Sequence, residues 1–272
     1  MEMNDIKFIK NFQKMTNDAW LKGWHERNGG NITYRLTKEE VNEIKDFIDE
    51  STEYKSIGVK VENLANEYFL VTGSGKFIRN VGIDLEANVG IIKIDEIGEN
   101  YQIVWGLIND AKPTSELPSH LMSHYVKYEQ TGGKHRVIMH SHATNIIALT
   151  FVLPLDGVVF TRELWEMATE CPVVFPSGIG VVPWMVPGGT EIAEATSELM
   201  KKHDIVIWAH HGVFCSGEDL DLTFGLMDTV EKSAEILVKV LSMGGKRQTI
   251  SSQNFRDLAR DFKVNISEEY LK

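Results

Sequence analysis

Apolar side chains recur at helical spacing in several stretches of the chain. Near the start, an apolar stripe that begins at Ile6 and includes Trp20 and Trp24 ends before the turn residues 28–31. Further helices are predicted after the capping box formed by Thr37 and Glu40, after Glu116, within residues 140–149, and at residues 190–202 and 216–243.

Between these helices lie short runs rich in β-branched and aromatic residues. They predict strands at residues 56–61, 68–71, 89–94, 101–105, 136–139, 171–175 and 204–209. Because helices and strands interleave throughout, the pattern predicts a layered α/β domain in which helices cover a central sheet. No break in the pattern favours a second domain, so residues 1–272 are expected to form one.

Composition and charge narrow the function classes. The formal net charge of −11 argues against a nucleic-acid partner, which requires a basic face. The start of the chain lacks the apolar stretch of a signal peptide, and prolines and glycines interrupt the longest apolar stretch, residues 171–187, so no membrane segment is expected. Two cysteines are too few for a disulfide framework, which favours reduced thiols and a cytoplasmic protein.

Three histidines stand at or near the ends of predicted strands. His140 and His142 are two residues apart, so in an extended chain they face the same side, and His211 can complete a set of three. Three imidazoles leave a coordination position open, as in catalytic zinc sites. We prefer His211 to His210 because Gly212 beside it permits close backbone approach. The other histidines considered are expected on the surface or in the core: His25, His120, His124, His135 and His203.

Other three-histidine frameworks can be tested against the residues after the pair. A metallo-β-lactamase-like site needs Asp-His there and a cupin needs a glutamate, but the chain has Thr144, Asn145 and Ile146. A carbonic-anhydrase-like zinc hydroxide uses the same ligands and stays open at this point.

Three segments, which we call the donor loops, combine small residues with hydroxyl or amide side chains: residues 28–31, 72–76 and 114–115. Each can offer N–H and O–H donors to a phosphate, although each could equally be an ordinary turn. Glu116 follows the third donor loop at a predicted helix start. A carboxylate near a bound metal suits proton transfer beside a polarised carbonyl, and an exposed helix-start glutamate is the alternative.

The order of these motifs along the chain resembles that of the class II aldolase and adducin-head superfamily. The segments that carry the resemblance are residues 30–35, 72–75, 114–116 with His120 downstream, 140–142 and 211–212. Within the superfamily the chain most resembles the rhamnulose-1-phosphate aldolases, through the long segment before Thr114 and through residues 169–176, 183–188 and 243–245. The resemblance covers nearly the full length.

The resemblance implies a single three-layer α/β/α domain with a central mixed, largely antiparallel sheet, and a homotetramer with active sites near subunit interfaces. It implies one zinc ion per subunit, held by His140, His142 and His211. Glu116 is the implied catalytic acid/base, and Glu170 is implied to act from a neighbouring subunit. The implied phosphate-binding residues are Asn28, Gly30, Asn31, Ser74, Thr114 and Ser115.

The implied reaction is reversible cleavage of L-rhamnulose 1-phosphate to dihydroxyacetone phosphate and L-lactaldehyde. Sister enzymes of the superfamily act on L-fuculose 1-phosphate, ribulose phosphate or thioribulose phosphate, and they remain alternatives. A non-catalytic, adducin-like interaction module is a further alternative. A non-catalytic module is expected to lack one or more of the three metal histidines or Glu116, and the chain has all four of these residues.

Overall fold

The computed structural model describes residues 2–272, and its framework is a single sheet flanked by helices. The strands are β1 Asn31–Arg35, β2 Lys55–Ser56, β3 Tyr68–Thr72, β4 Val89–Ile94, β5 Asn100–Gly106, β6 Val137–Ser141, β7 Ile179–Val182, β8 Ile205–Trp208 and β9 Gly212–Gly217. The helices are α1 Lys7–Leu21, α2 Lys38–Ile44, α3 Leu85–Asn88, α4 Leu117–Thr131, α5 Thr144–Leu149, α6 Gly157–Trp165, α7 Cys171–Val174, α8 Thr190–Met200, α9 Leu220–Ser242 and α10 Ser252–Phe262.

All the strands belong to one sheet with the order β2-β5-β4-β3-β1-β6-β9-β8-β7. Every neighbouring pair is antiparallel except β7 with β8. The expected mixed, largely antiparallel sheet is therefore confirmed. No helix within residues 2–272 is long and apolar enough to cross a membrane.

Both faces of the sheet are buried, and successive strand residues alternate between them. In β6, Val137 and Met139 pack into a core with helices α1 and α9, whereas Ile138 packs into a core on the opposite face with residues of α4 and α8. Strand β9 alternates in the same way, with Val213 on the first face and Phe214 on the second. This alternation places three layers in the order helix, sheet, helix, and it assigns each side chain at the end of β6 to a face.

Most of the predicted elements are present, with shifted ends. The capping box at Thr37 is confirmed, because its side chain accepts from the backbone N–H of Glu40 at 3.2 Å. Strand β6 runs to Ser141, two residues beyond the predicted end, so His140 lies within the strand. The long helix begins at Leu220 and is capped by Asp219, whereas Ser216, the first residue of the predicted segment 216–243, pairs in β9. Both residues are of the N-cap type, so the sequence alone did not separate them.

Two strand predictions are wrong in part or in full. Residues 171–175 contain helix α7 instead, because Pro172 cannot donate to a strand ladder but is tolerated in the first turn of a helix. Of residues 56–61, only Ser56 lies in a strand, since Gly58 has a φ of 86° and interrupts the extended run. Elements that the pattern did not predict are β7, β9, α3, α6 and α10.

Candidate active site

The structure brings His140, His142 and His211 together at one end of β6. One ring nitrogen from each lies within 4.8 Å of the others. His140 lies in β6, His142 follows it, and His211 lies in the turn that joins β8 to β9. His210 faces elsewhere: it adopts a left-handed φ of 61°, and its Nδ1 lies 3.0 Å from the hydroxyl of Thr150. The geometry thus groups His211, rather than His210, with the pair.

Hydrogen bonds assign a tautomer to the two paired histidines. Nδ1 of His140 lies 3.3 Å from the carbonyl of Val213, so it carries the proton, and the buried Nε2 has no hydrogen-bond partner. Nδ1 of His142 lies 2.7 Å from a carboxylate oxygen of Glu26 and is likewise the donor. In both rings the Nε2 lone pair is left free, which is the arrangement that a metal-binding imidazole needs.

Burial keeps His140 and His211 neutral. It is the main reason that the pKa of His140 is well below its usual range, and the neighbouring His211 and His142 lower that pKa further. Burial also lowers the pKa of His211 to about 4, again assisted by His142. Neutral imidazoles are the form that ligates zinc, so this donor set fits a divalent cation.

Glu116 lies directly beside the cluster, as the residue that precedes α4. One of its carboxylate oxygens, Oε2, lies 3.6 Å from Nε2 of His140, and Oε1 lies 3.9 Å from Nε2 of His211. Asn31 donates its amide N–H to Oε2 at 2.8 Å. Burial raises the pKa of Glu116, while the hydrogen bond from Asn31 and the nearby imidazole of His142 oppose that rise. A buried carboxyl of this kind, next to a cation site, can hold or move a proton.

The donor loops meet around the same point. The backbone N–H of Thr114 donates to the carbonyl of Thr72 at 2.9 Å, and the hydroxyl of Thr72 accepts from the backbone N–H of Ile32 at 3.1 Å. The first donor loop packs against the histidines so closely that a Cβ on Gly29 would lie 2.6 Å from Nδ1 of His142. Gly30 has a φ of 73° and equally little room, with Nδ1 of His25 2.1 Å from its Cβ position. These glycines therefore allow the loop to approach the three clustered histidines.

Of the residues expected to hold a phosphate, several remain available to a ligand and others are occupied. The side chains of Asn28, Ser74 and Ser115 are exposed, whereas Asn31 and Thr114 are buried. Both ends of the Asn31 amide are engaged within the chain, by Glu116 and by His120. The roles of these residues in phosphate binding stay predictions.

Glu170 is not part of the cluster in a single chain. It is exposed and precedes α7, which packs on α6, α9 and α10. Glu26 was not predicted as a site residue, because its position beside His142 depends on how residues 24–26 pass the end of β6. No spacing rule gives that contact, although a carboxylate partner for a metal-binding histidine is a general expectation.

The family model for the class II aldolase and adducin N-terminal domain matches residues 10–238. The chain is 58% identical over 264 residues to the rhamnulose-1-phosphate aldolase of Mannheimia succiniciproducens, with 97% of each chain covered. It is 55% identical over 257 residues to the rhamnulose-1-phosphate aldolase of Shigella boydii, with 94% of each covered.

Among solved structures, a sugar-phosphate aldolase from Thermotoga maritima is similar with a TM-score of 0.73 and 30% sequence identity, over 88% of this chain and 97% of that chain. These matches confirm the resemblance that the ordered motifs indicated. The chain belongs to the class II aldolase and adducin N-terminal domain family.

Proposed function

We propose that this chain is a metal-dependent aldolase that reversibly cleaves L-rhamnulose 1-phosphate to dihydroxyacetone phosphate and L-lactaldehyde. The observation that carries the proposal is the buried Glu116 carboxylate, with its oxygens within 4 Å of two of the three clustered histidines. The specific substrate is supported by the names of the two relatives that are 58% and 55% identical over nearly the whole chain. The unbroken nine-stranded sheet supports one class II aldolase domain over residues 1–272.

The proposed metal is one zinc ion per subunit, held by His140, His142 and His211. Two observations support it: the three nitrogens within 4.8 Å of one another and the unpartnered Nε2 of the fully buried His140. When bound, the cation supplies a Lewis acid that stabilises the negative charge developing on the ketose oxygens as the C3–C4 bond breaks.

Glu116 is the proposed acid/base. In the aldol direction its carboxylate accepts the proton from C3 of dihydroxyacetone phosphate, and the alkoxide formed at C4 takes up a proton. In the cleavage direction the C4 hydroxyl gives up its proton, and the Glu116 carboxyl returns a proton to C3. Its burial separates the transferred proton from solvent, because little of the side chain is exposed. The hydrogen bond from Asn31 to Oε2 leaves Oε1 as the free oxygen for this transfer.

The remaining roles concern recognition and assembly. We assign the phosphate to the donor loops, through the residues Asn28, Gly30, Asn31, Ser74, Thr114 and Ser115. The support is that the three loops converge beside the histidines and expose Asn28, Ser74 and Ser115. A homotetramer would bring Glu170 of one subunit to the aldehyde-side hydroxyl at a neighbouring site, a role supported by its exposure in the single chain. Two buried free cysteines support a cytoplasmic enzyme.

The substrate assignment predicts a preference between two sugar phosphates that differ in the configuration at C4. The purified enzyme should cleave L-rhamnulose 1-phosphate with a kcat/KM at least about tenfold above that for L-fuculose 1-phosphate, a difference of about 1.4 kcal/mol in transition-state binding. Release of dihydroxyacetone phosphate, followed with a coupled dehydrogenase, measures both rates. A preference for the fuculose ester would reassign the chain to the sister activity.

Removal of the metal should abolish cleavage. After dialysis against a chelator, turnover should fall by at least about a hundredfold, because the developing charge loses its Lewis acid. Adding back one equivalent of zinc should restore the rate, and circular dichroism should show that the metal-free chain stays folded. Activity that survives complete chelation would rule out the metal mechanism.

Separate replacement of the neighbouring histidines His210 and His211 tests which of them is a zinc ligand. His211→Ala should weaken zinc binding on the order of a hundredfold or more, since loss of a direct ligand exceeds the 10–100-fold typical of an outer partner. His210→Asn is the matched control because asparagine tolerates the left-handed backbone at that position. It should retain stoichiometric zinc in a metal analysis. Loss of zinc from His210→Asn, with zinc retained by His211→Ala, would show that His210 and not His211 belongs to the ligand set.

Replacement of Glu116 separates proton transfer from metal binding. Glu116→Gln should lower kcat by about a hundredfold or more, the usual contribution of a general acid/base, while bound zinc stays at one per chain. Glu129→Gln, on the exposed side of the same helix, should keep the wild-type rate. An unchanged kcat in Glu116→Gln would remove this residue from the mechanism.

A further inference from the structure

A row of buried polar side chains connects Glu116 to the middle of helix α4. Strand β1 contributes Asn31 and Thr33, which are two residues apart and so face the same side. Glu116 directly precedes α4, and His120 and His124 lie within it. The three residues are spaced four apart, so they lie on one face of the helix. All five residues are buried, with exposed fractions from 0% for Thr33 and His120 to 8% for Asn31.

The five side chains form one continuous chain of hydrogen bonds. Asn31 Nδ2 donates to Glu116 Oε2 at 2.8 Å, and the amide oxygen of Asn31 is bonded to Nε2 of His120. The hydroxyl of Thr33 lies 2.8 Å from Nδ1 of His120 and 2.9 Å from Nε2 of His124. We call this chain, from Glu116 through Asn31, His120 and Thr33 to His124, the relay.

The carboxylate determines the direction of every bond in the relay. An ionised Glu116 can only accept, so the NH₂ group of Asn31 faces it and the amide oxygen faces His120. His120 must then carry its proton on Nε2, and Thr33 donates its O–H to the bare Nδ1. The same hydroxyl accepts the Nε2–H of His124, whose Nδ1 has no partner. Burial lowers the pKa of His120 to about 3, so the ring is neutral, as this pattern requires.

We infer that the relay positions Glu116 for proton transfer, with Thr33, His120 and His124 acting through Asn31. The inference rests on the proposed function of Glu116 and deepens it. The relay holds Oε2 in place, so that the carboxyl group presents Oε1 toward the space beside His211, where the substrate proton must arrive. Such alignment matters because displacement of a catalytic group by about 1 Å can cost on the order of a hundredfold in rate.

Three residues of the relay do not reach the metal cluster by any hydrogen bond or ion pair in the structure of residues 2–272, and they gain their role only through the bonds described. A buried polar network can also serve folding alone. The two possibilities differ in one measurable respect. A positioning role changes kcat only while Glu116 is present, whereas a folding role lowers stability irrespective of residue 116.

Thr33→Val tests the relay because it removes one hydroxyl and keeps the side-chain shape. We expect kcat to fall on the order of tenfold, with KM within about twofold and zinc affinity unchanged, since Thr33 makes no hydrogen bond to the three clustered histidines or to the exposed donor-loop residues Asn28, Ser74 and Ser115. Thr33→Ser, which keeps the hydroxyl, should restore most of the rate. Thr161→Val is the matched control: that hydroxyl is also buried and also has two partners, Gly157 and Ile179, but it lies on α6.

A double-mutant cycle separates positioning from stability. In a Glu116→Gln background, Thr33→Val should cause no further loss of the residual rate, because the group that it positions is already absent. An equal loss in both backgrounds would overturn the inference, and so would a kcat for Thr33→Val no lower than that for Thr161→Val. If Thr33→Val does not fold, Thr33→Ala removes the same hydroxyl without adding bulk and supplies the same comparison.

A measurement without turnover keeps this inference separable from the proposed function. In ¹⁵N spectra of the histidine rings, His120 and His124 should both appear as neutral rings protonated on Nε2. Loss of the Thr33 hydroxyl should shift the Nδ1 resonance of His120 toward the value of an unbonded nitrogen. A His120 ring protonated on Nδ1 would contradict the relay even in an active enzyme. An inactive wild-type chain with the expected spectra would instead reject the aldolase assignment alone.

Discussion

The pairing of β6 between β1 and β9 is the interaction on which the site depends. It places His140 opposite Asn31 on one side and opposite Phe214 on the other, and the ring of Phe214 stacks on that of His140 with centroids 4.3 Å apart. Because side chains alternate along a strand, a shift of one residue in this register would turn His140 to the opposite face of the sheet. The buried apolar residues on both faces prevent such a shift, and the hydrophobic core thereby maintains the arrangement of the three clustered histidines.

The same register explains why residues 24–30 contribute to the site although they lie outside the sheet. The backbone N–H of His142 donates to the carbonyl of Trp24 at 2.9 Å, and Glu26 accepts from the ring of the same histidine. One segment therefore orients both the backbone and the imidazole of His142. That segment leads into the first donor loop, so His142 and the proposed phosphate site are connected through a few residues of chain.

Local sequence patterns predicted the parts of this site that depend on local geometry. The spacing of His140 and His142 and the place of Glu116 before a helix follow from strand and helix periodicity. The relay could not be predicted, because His120 and His124 resemble ordinary core histidines until β1 is placed beside α4. For residues 171–175 the local pattern itself was misleading. Their β-branched composition favoured a strand, but Pro172 lies in the first turn of a helix, where proline is tolerated.

The charge balance of the site connects its stability to its chemistry. Burying the Glu116 carboxylate costs free energy, and within residues 2–272 the nearest imidazoles, those of His140 and His211, are kept neutral by burial, with no lysine or arginine within 4 Å. The amide of Asn31 offsets part of that cost without supplying a positive charge that would reduce the basicity of the carboxylate. A neutral donor, held by a chain of neutral groups, therefore stabilises the carboxylate and still leaves it able to take up a proton. An arginine at the same place would stabilise Glu116 more strongly and make it a weaker base.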